Sequence, residues 1–472
     1  MASSKIPLAQ SLAGFAKTSD LTKIPRGRKT RLLWFLADYI ACIIAASDLR
    51  EANTAFILAE KGSIKIPGLP KYSFSPAGVA IAAGALGSLL QLHDGYGKGG
   101  NHPSSVLVPA LIGSSNKHSL TSLKSISALG AGYEICNRLA ALTHPNQSFL
   151  GSAPTGTMGA IGAAVVAGIC MNLNQKKLAE AISIAAFLAP LSAFEALKVR
   201  GSAVPLHNSF AARTGIESAK LAFNGFSGGS TVLEGRPQHP GILNFLKGER
   251  RTDKNPSTSV NDTFTLKTHN WKFKTIDQVY FKPFPGCRHI QPAVEAVIAC
   301  IKDYRPKPED IISIQCFTYP LAIAFAKAPR KSNELYDRLM SIPWGIAMTI
   351  LKGKPTVESL KENNKKIANQ LYKITTIQTS EKYSRLYPKE LGASIKIILK
   401  NNRVLKGECL LAYGKTNNPR FYTPSGGTLK PLTEEDMPKR FLSLTAPVIG
   451  ESKANQLLED LNPQNNKLIG IG

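Results

Sequence analysis

Long apolar stretches alternate with short polar breaks through the first half of the chain. Leu32–Ala46, Ala77–Leu92, Thr121–Leu142, Gly156–Met171, Gln175–Leu197 and Ser209–Phe223 are Ala-rich segments of helical length, separated by Gly, Pro, Asn and Ser. Such a series predicts a helical bundle. Asn174 is placed to cap the helix that runs through Glu180, because its side-chain oxygen can accept an orphan amide of the first turn. The amphipathic run Leu8–Phe15 predicts a folded amino terminus. Between Gly225 and Asn270 the chain turns polar and rich in Gly, Pro and charge, which predicts a linker or domain crossing.

Beyond that point the period changes. Ile276–Phe281, Ile311–Thr318, Ile374–Thr379, Ala393–Leu399 and Val404–Tyr413 have the pattern of strands, the last two joined through Lys400–Arg403 as a hairpin. Helices are expected between them at Pro292–Tyr304 and Ile342–Leu351, making an α+β domain. Thr433–Leu461 reads as helix again and is expected to return to the bundle. The fold class is therefore mostly α plus α+β: a large helical bundle, built from both chain ends, with an inserted α+β unit. The division expected is 1–268, 269–414 and 415–472.

Hydrophobic residues make up 43% of the 472 and charged residues 19%, a balance that excludes a disordered or fibrous chain. Lys and Arg number 58 against 32 Asp and Glu, a formal charge of +26 that favours anionic partners. The basic residues are densest at Lys17–Arg31, Lys247–Lys254 and Lys361–Lys366, but no aromatic-interleaved stripe accompanies them, so no nucleic-acid partner is expected. Most of the excess charge reads as a solvated surface. From Asn146 to Gln175 there is no charged residue, yet Gly156–Asn172 consists mainly of Gly, Ala, Val and Ile, which suits a helix packed on all sides by protein. No membrane span is expected. The seven cysteines are odd in number and far apart, with no CxxC pair, which points to reduced thiols and a cytoplasmic setting. Met1–Arg31 is Ser- and Lys-rich with one acidic residue, so a mitochondrial location stays open.

Three polar clusters interrupt the apolar text: His93–Tyr96 with Asn101–Ser105, Gly151–Gly156, and Lys282–His289. A cationic loop leading into a helix is a good anion site, because backbone amides and the helix dipole add to the Lys and Arg charges. No His, Cys or acidic spacing suggests a metal site; His118, His144, His239 and His269 stand apart from the clusters.

These clusters carry a resemblance. Leu36–Tyr39, Leu92–Asp94, His102–Ser104, Gly132–Glu134, Pro154–Thr157, Phe210–Gly215, Lys282–His289, Ser341–Gly345, Pro431–Thr433 and Lys439–Phe441 together resemble the MmgE/PrpD family, in order and spacing, from about Leu8 to Leu461. That family includes 2-methylcitrate dehydratase, cis-aconitate decarboxylase and an iminodisuccinate epimerase. The resemblance implies a homodimer in which the α+β unit is a lid over the bundle. It also implies a small polycarboxylate in a basic cleft between the two, and no metal or organic cofactor.

Carried over residue by residue, the resemblance places Asp94 and His102 at an acid and a histidine of decarboxylase-like members, and Tyr319 near an active-site tyrosine. Ala153 stands where a histidine is usual, Val204 where the decarboxylases have lysine, and Gln291 where a histidine follows the Cys-Arg-His run. Alanine and valine carry no proton, and glutamine does not titrate near neutrality. Since each positioned acid or base is worth roughly 10²- to 10⁴-fold, these changes point to a divergent activity.

The expectation is a lyase, or an isomerase, epimerase or cyclase, that moves a proton next to a carbonyl or carboxylate. His102 is the principal acid/base with the ordinary pKa of about 6.5, Asp94 orients it, Tyr319 donates a proton, and His93 is either a substitute proton carrier or a bystander. Lys282, Arg288 and His289 hold the anionic end unless they only brace the turn, and His207, Gln291, Ala153 and Val204 complete the substrate site. Cys287 beside Arg288 is not expected to be a nucleophile. The alternatives are a literal cis-aconitate decarboxylase or 2-methylcitrate dehydratase, and a catalytically silent homologue acting as a binding or scaffold protein.

Overall fold

The computed structural model describes residues 6–18, 24–115, 119–199, 201, 203–236, 239–248, 268–326, 334–361, 365–387, 390–410 and 434–463. The end of the strand expected to reach Tyr413, the 414/415 boundary, His118, Pro431–Thr433 and parts of the three basic stretches lie outside them.

Most of the expected helices form close to their sequence bounds: Arg26–Ala46, Pro76–Leu89, Leu123–Thr143, Pro154–Cys170 and Leu206–Phe223. The uncharged segment is the central one. In Pro154–Cys170 nearly every side chain is buried, and the helices Leu123–Thr143, Ser104–Ser114 and Leu206–Phe223 all pack on it. Small residues permit this crowding. A Cβ on Gly215 would stand 2.3 Å from Ala163 Cβ and 2.6 Å from the Ala164 amide, so only glycine lets the two helices meet. Gly215→Ala is expected to force them apart at a cost of about 1–3 kcal/mol, read as a lowered Tm in thermal denaturation. Among the described residues no helix is long and apolar enough to cross a membrane.

Asn174 caps its helix as expected, accepting from the Lys177 amide at 2.9 Å. That helix stops at Leu188 instead of running to Leu197. Ala189 precedes Pro190, whose ring disfavours helical geometry in the residue before it, and Ala189 is extended at φ −57° and ψ 131°. The amphipathic amino-terminal run is helical over Leu8–Thr18. The stretch expected as a linker instead holds a short antiparallel pair, Gly235–Arg236 with His239–Pro240, and a helix, Ile242–Lys247; residues 249–267 of it lie outside the described residues. The hairpin of Lys61–Ile66 and Leu69–Phe74 and the helix Ser104–Ser114 were not anticipated.

The second unit is α+β. Its sheet has the order Val404–Cys409, Ala393–Leu399, Ile311–Thr318, Thr375–Thr379, antiparallel except for the last pair. Ala393, Ile395, Ile397 and Leu399 are buried in strict alternation, so one face is apolar and packs on the helix Gln291–Cys300. Asn402, at φ 64°, makes the hairpin turn. Buried residues form two clusters, one in the bundle and one around this sheet. The carboxy-terminal helices Asp436–Ile449 and Glu451–Leu461 pack against Arg26–Ala46, and a buried ion pair, Arg440 Nε to Asp38 Oδ1 at 2.6 Å, fastens the first of them there.

The strand expected at Ile276–Phe281 is mostly absent. A 3-10 turn, Ile276–Gln278, leads into only two strand residues, Val279–Tyr280. Ile276, Val279 and Phe281 are apolar because they insert into the bundle core, not because they line a sheet. The two residues pair antiparallel with Gly95–Tyr96, Tyr280 opposite Gly95. This short ladder ties the first polar cluster to the third.

Candidate active site

Beside that ladder, at the junction of the two buried clusters, lies a cavity of about 280 Å³. Of the residues singled out from sequence, His102, Arg288 and His289 line it. Each is positioned by a different device.

His102 precedes the helix Ser104–Ser114, and its Nδ1 lies 2.6 Å from the Asp94 backbone carbonyl. A carbonyl only accepts, so Nδ1 carries the proton and Nε2 keeps its lone pair. Asp94 thus orients His102, but through its main chain. The Asp94 carboxylate faces the other way, accepting from the Ser104 amide at 3.1 Å, Ser104 Oγ at 2.6 Å and Tyr133 OH at 2.7 Å. Burial raises its pKa to about 6, against the lowering effect of those hydrogen bonds. The ordinary imidazole pKa assigned to His102 also needs correction. Burial, then the nearby Lys282 ammonium, push it well below 6.5, so the ring is neutral near pH 7 and suited to accept a proton.

Arg288 and His289 belong to the turn after Lys282, which is anchored by Gly286 N to Leu90 O at 3.0 Å and Cys287 N to Leu339 O at 2.8 Å. The Arg288 guanidinium lies 4.3 Å over the Tyr280 ring. Gly97 leaves it room, since a Cβ there would stand 2.8 Å from Nη1. Gly97→Ala is expected to displace the guanidinium without unfolding the chain, weakening anion binding about tenfold through a lost charge-assisted hydrogen bond, measurable by calorimetric titration at unchanged Tm.

The remaining candidates stand behind the cavity wall. Lys282 is fully buried, donates to Gln91 O at 2.7 Å, and is pushed by burial to a pKa of about 8. Tyr319 is buried with its hydroxyl 2.7 Å from His289 Nδ1, and burial raises its pKa, so it props His289 and does not itself line the cavity. His93 packs edge-on against His102 at 4.8 Å between ring centroids. Gln291 donates to Phe284 O at 3.1 Å and braces the turn. Ala153 begins the Pro154–Cys170 helix, its amide on Ser192 O at 2.9 Å. Val204 is buried in the sheet-side cluster, and His207, kept near a pKa of 4 by burial, does not reach the lining.

Sequence reading missed His144, which stood apart from the clusters yet lines the cavity, its Nδ1 3.1 Å from Ser148 Oγ. Its one signal is the polar break His144–Gly151 between two apolar helices. Tyr280 and Tyr387 also line the cavity; their spacing holds no hint of it. All seven cysteines are buried and none is in a disulfide. Among the described residues no group of three or more His, Cys, Asp or Glu could hold a metal ion.

Two family descriptions match the sequence. The MmgE/PrpD N-terminal domain covers residues 10–252 and the MmgE/PrpD C-terminal domain covers 284–462. The chain belongs to the MmgE/PrpD family. Membership at this coverage supports a lyase- or dehydratase-type enzyme as the class, and the break between the two matches falls just before the turn that carries Arg288 and His289. No curated protein matches the chain.

Proposed function

We propose that this MmgE/PrpD protein is a lyase or isomerase that removes a proton next to a carboxylate or carbonyl of a small anionic substrate. The observation that carries this reading is the state of His102: a neutral ring, its tautomer set by the Asp94 carbonyl, facing a cavity that also presents Arg288. His102 Nε2 takes the proton, and the Arg288 guanidinium, reinforced by the charge of Lys282 behind it, stabilises the enolate that forms. Protonated His102 then holds the proton that is returned to product or solvent; His144 and His289 are the other two imidazoles of the lining, and Ala153 supplies no such group.

The test is turnover of carboxylated candidates with deuterium exchange into recovered substrate. Exchange that disappears in His102→Gln supports the reading. Rapid conversion of cis-aconitate or 2-methylcitrate would show that Ala153, Val204 and Gln291 had not altered the family chemistry. A silent binding homologue, in contrast, would show no exchange with any carboxylate and keep its biological role in His102→Ala.

The reading includes a homodimer. Phe149, Leu150, Phe187, Leu188 and Leu191 are large apolar residues left about half or more exposed, on stretches linked by the Ser152–Ala193 bridge, as an interface with a second copy would need. Sedimentation at twice the chain mass, reduced to one by Leu191→Asp, is the expected result.

A further inference from the structure

The cavity lining is mixed, and the mixture bears on the substrate. Asn101, His102, His144, Ser148, Arg288 and His289 bring polar groups; Phe149, Phe194, Leu321, Phe325, Met340 and Leu391 bring apolar surface. Part of that surface is a built aromatic corner: Phe325 stacks on His289 at 5.3 Å and 18°, and Phe194 meets Phe325 edge-on at 5.6 Å and 78°.

Charge is scarce in the lining. Among the described residues it contains no Asp or Glu, and its cations are Arg288 and Lys198. Lys198 is 43% exposed and lies 3.7 Å from Glu195, so its charge is already answered at the surface. Arg288, over the Tyr280 ring, is the other cation of the described lining, with Lys282 buried behind Gln91. The three histidines in the lining, His102, His144 and His289, all have lowered pKa values and add no positive charge near pH 7. A tricarboxylate bound here would have fewer cations than carboxylates among the described residues, and a carboxylate set against the Phe194–Phe325 corner would go unpaired, which costs more than the contact returns.

We infer that the substrate is a monoanion with an apolar arm: one carboxylate at Arg288 and His289, and an aliphatic or aromatic portion of some eight atoms against Phe325, Phe194 and Leu321. Size agrees. In proportion to the roughly 150 Å³ that holds benzene, the cavity takes about a dozen non-hydrogen atoms. The inference rests on the anion site of the proposed function, and departs from the polycarboxylates that the family resemblance implies.

Calorimetric titration of the full-length protein at pH 7 with three probes, 3-phenylpropanoate, glutarate and cis-aconitate, tests it. The expected order places 3-phenylpropanoate at least tenfold tighter than either polycarboxylate, with the most negative heat-capacity change, the mark of apolar burial. Phe149→Ser, at an exposed position, and the milder Leu321→Ala, at a half-buried one, should each weaken 3-phenylpropanoate several-fold and leave glutarate unchanged, with Tm and sedimentation showing that fold and assembly are kept. Arg288→Gln should weaken all three. Equal or tighter binding of cis-aconitate overturns the inference while leaving the anion site standing. Failure of every probe to bind overturns the anion site and the inference together.

Discussion

Turnover of the protein's own substrate is expected to fall by roughly 10²- to 10⁴-fold in His102→Gln, the contribution of one positioned base. Glutamine is a neutral, hydrogen-bonding replacement of similar reach but has no lone pair that takes a proton near neutrality. The loss should therefore appear in kcat, with KM little changed, because Arg288 still holds the anion. The pH profile separates this role from a structural one. Since His102 has a pKa well below 6.5, the base form persists through pH 6, and the usual acidic limb of a histidine enzyme should be missing between 6 and 7.5. On the alkaline side Lys282 loses its proton near 8, and its positive charge disappears from behind the site, so KM should rise above that pH. An acidic limb centred at 6.5 would show that the ring is not the desolvated base described above.

The fold itself should lose stability in mild acid, well before most of its carboxylates titrate. Five histidines are held neutral by burial: His93 and His102 well below their usual value, His144 and His207 at about 4, and His289 at about 3. Unfolded, each takes its proton near 6.5. Between those values the unfolded chain binds more protons, and stability falls as pH falls. Asp94 works in the opposite direction, because folded it is protonated from about 6 and unfolded only from 3.8. Five imidazoles against one carboxyl leave the unfolded chain the stronger proton binder, so stability declines as pH falls below about 6.5. Near-ultraviolet circular dichroism across pH 7 to 4 measures this directly. His93→Gln should reduce the slope by one proton. A native spectrum at pH 4 would mean that these imidazoles are hydrated and charge freely.

This sensitivity is a consequence of how the site is built. His93, His102 and Lys282 crowd one another within the junction of the two clusters, and both His93 and His102 are pushed further down by the Lys282 charge. The buried Lys282 ammonium is the charge that an entering anion would answer, and it is lost near pH 8, so ligand binding should stabilise the protein more at pH 6 than above pH 8.

Much of the fold was legible along the chain because burial is written there as periodicity. The all-apolar Pro154–Cys170 helix, the alternating Ala393–Leu399 strand and the Asn174 cap follow from local rules, since each needs only side chains a few residues apart. Ile276–Phe281 and the helix expected to reach Leu197 were misjudged for related reasons. Apolar content cannot distinguish a strand from a coil inserted in a core, and Pro190 ended a helix whose hydrophobic pattern ran on past it.

The site divides in the same way. The sequence determined the polar breaks, His102, the Arg288–His289 turn and the absence of titrating groups at Ala153, Val204 and Gln291, because residue type alone sets which groups can hold a proton or a charge. Tertiary structure alone decided which of these face the cavity. It turned the Asp94 carboxylate toward Ser104 and Tyr133, sank Lys282 and Tyr319 behind the wall, and brought in His144, Tyr280 and the Phe325 corner. Those outcomes depend on a two-residue ladder between Gly95–Tyr96 and Val279–Tyr280, a contact spanning more than 180 positions of sequence, and no local pattern encodes which distant loop a short strand will meet.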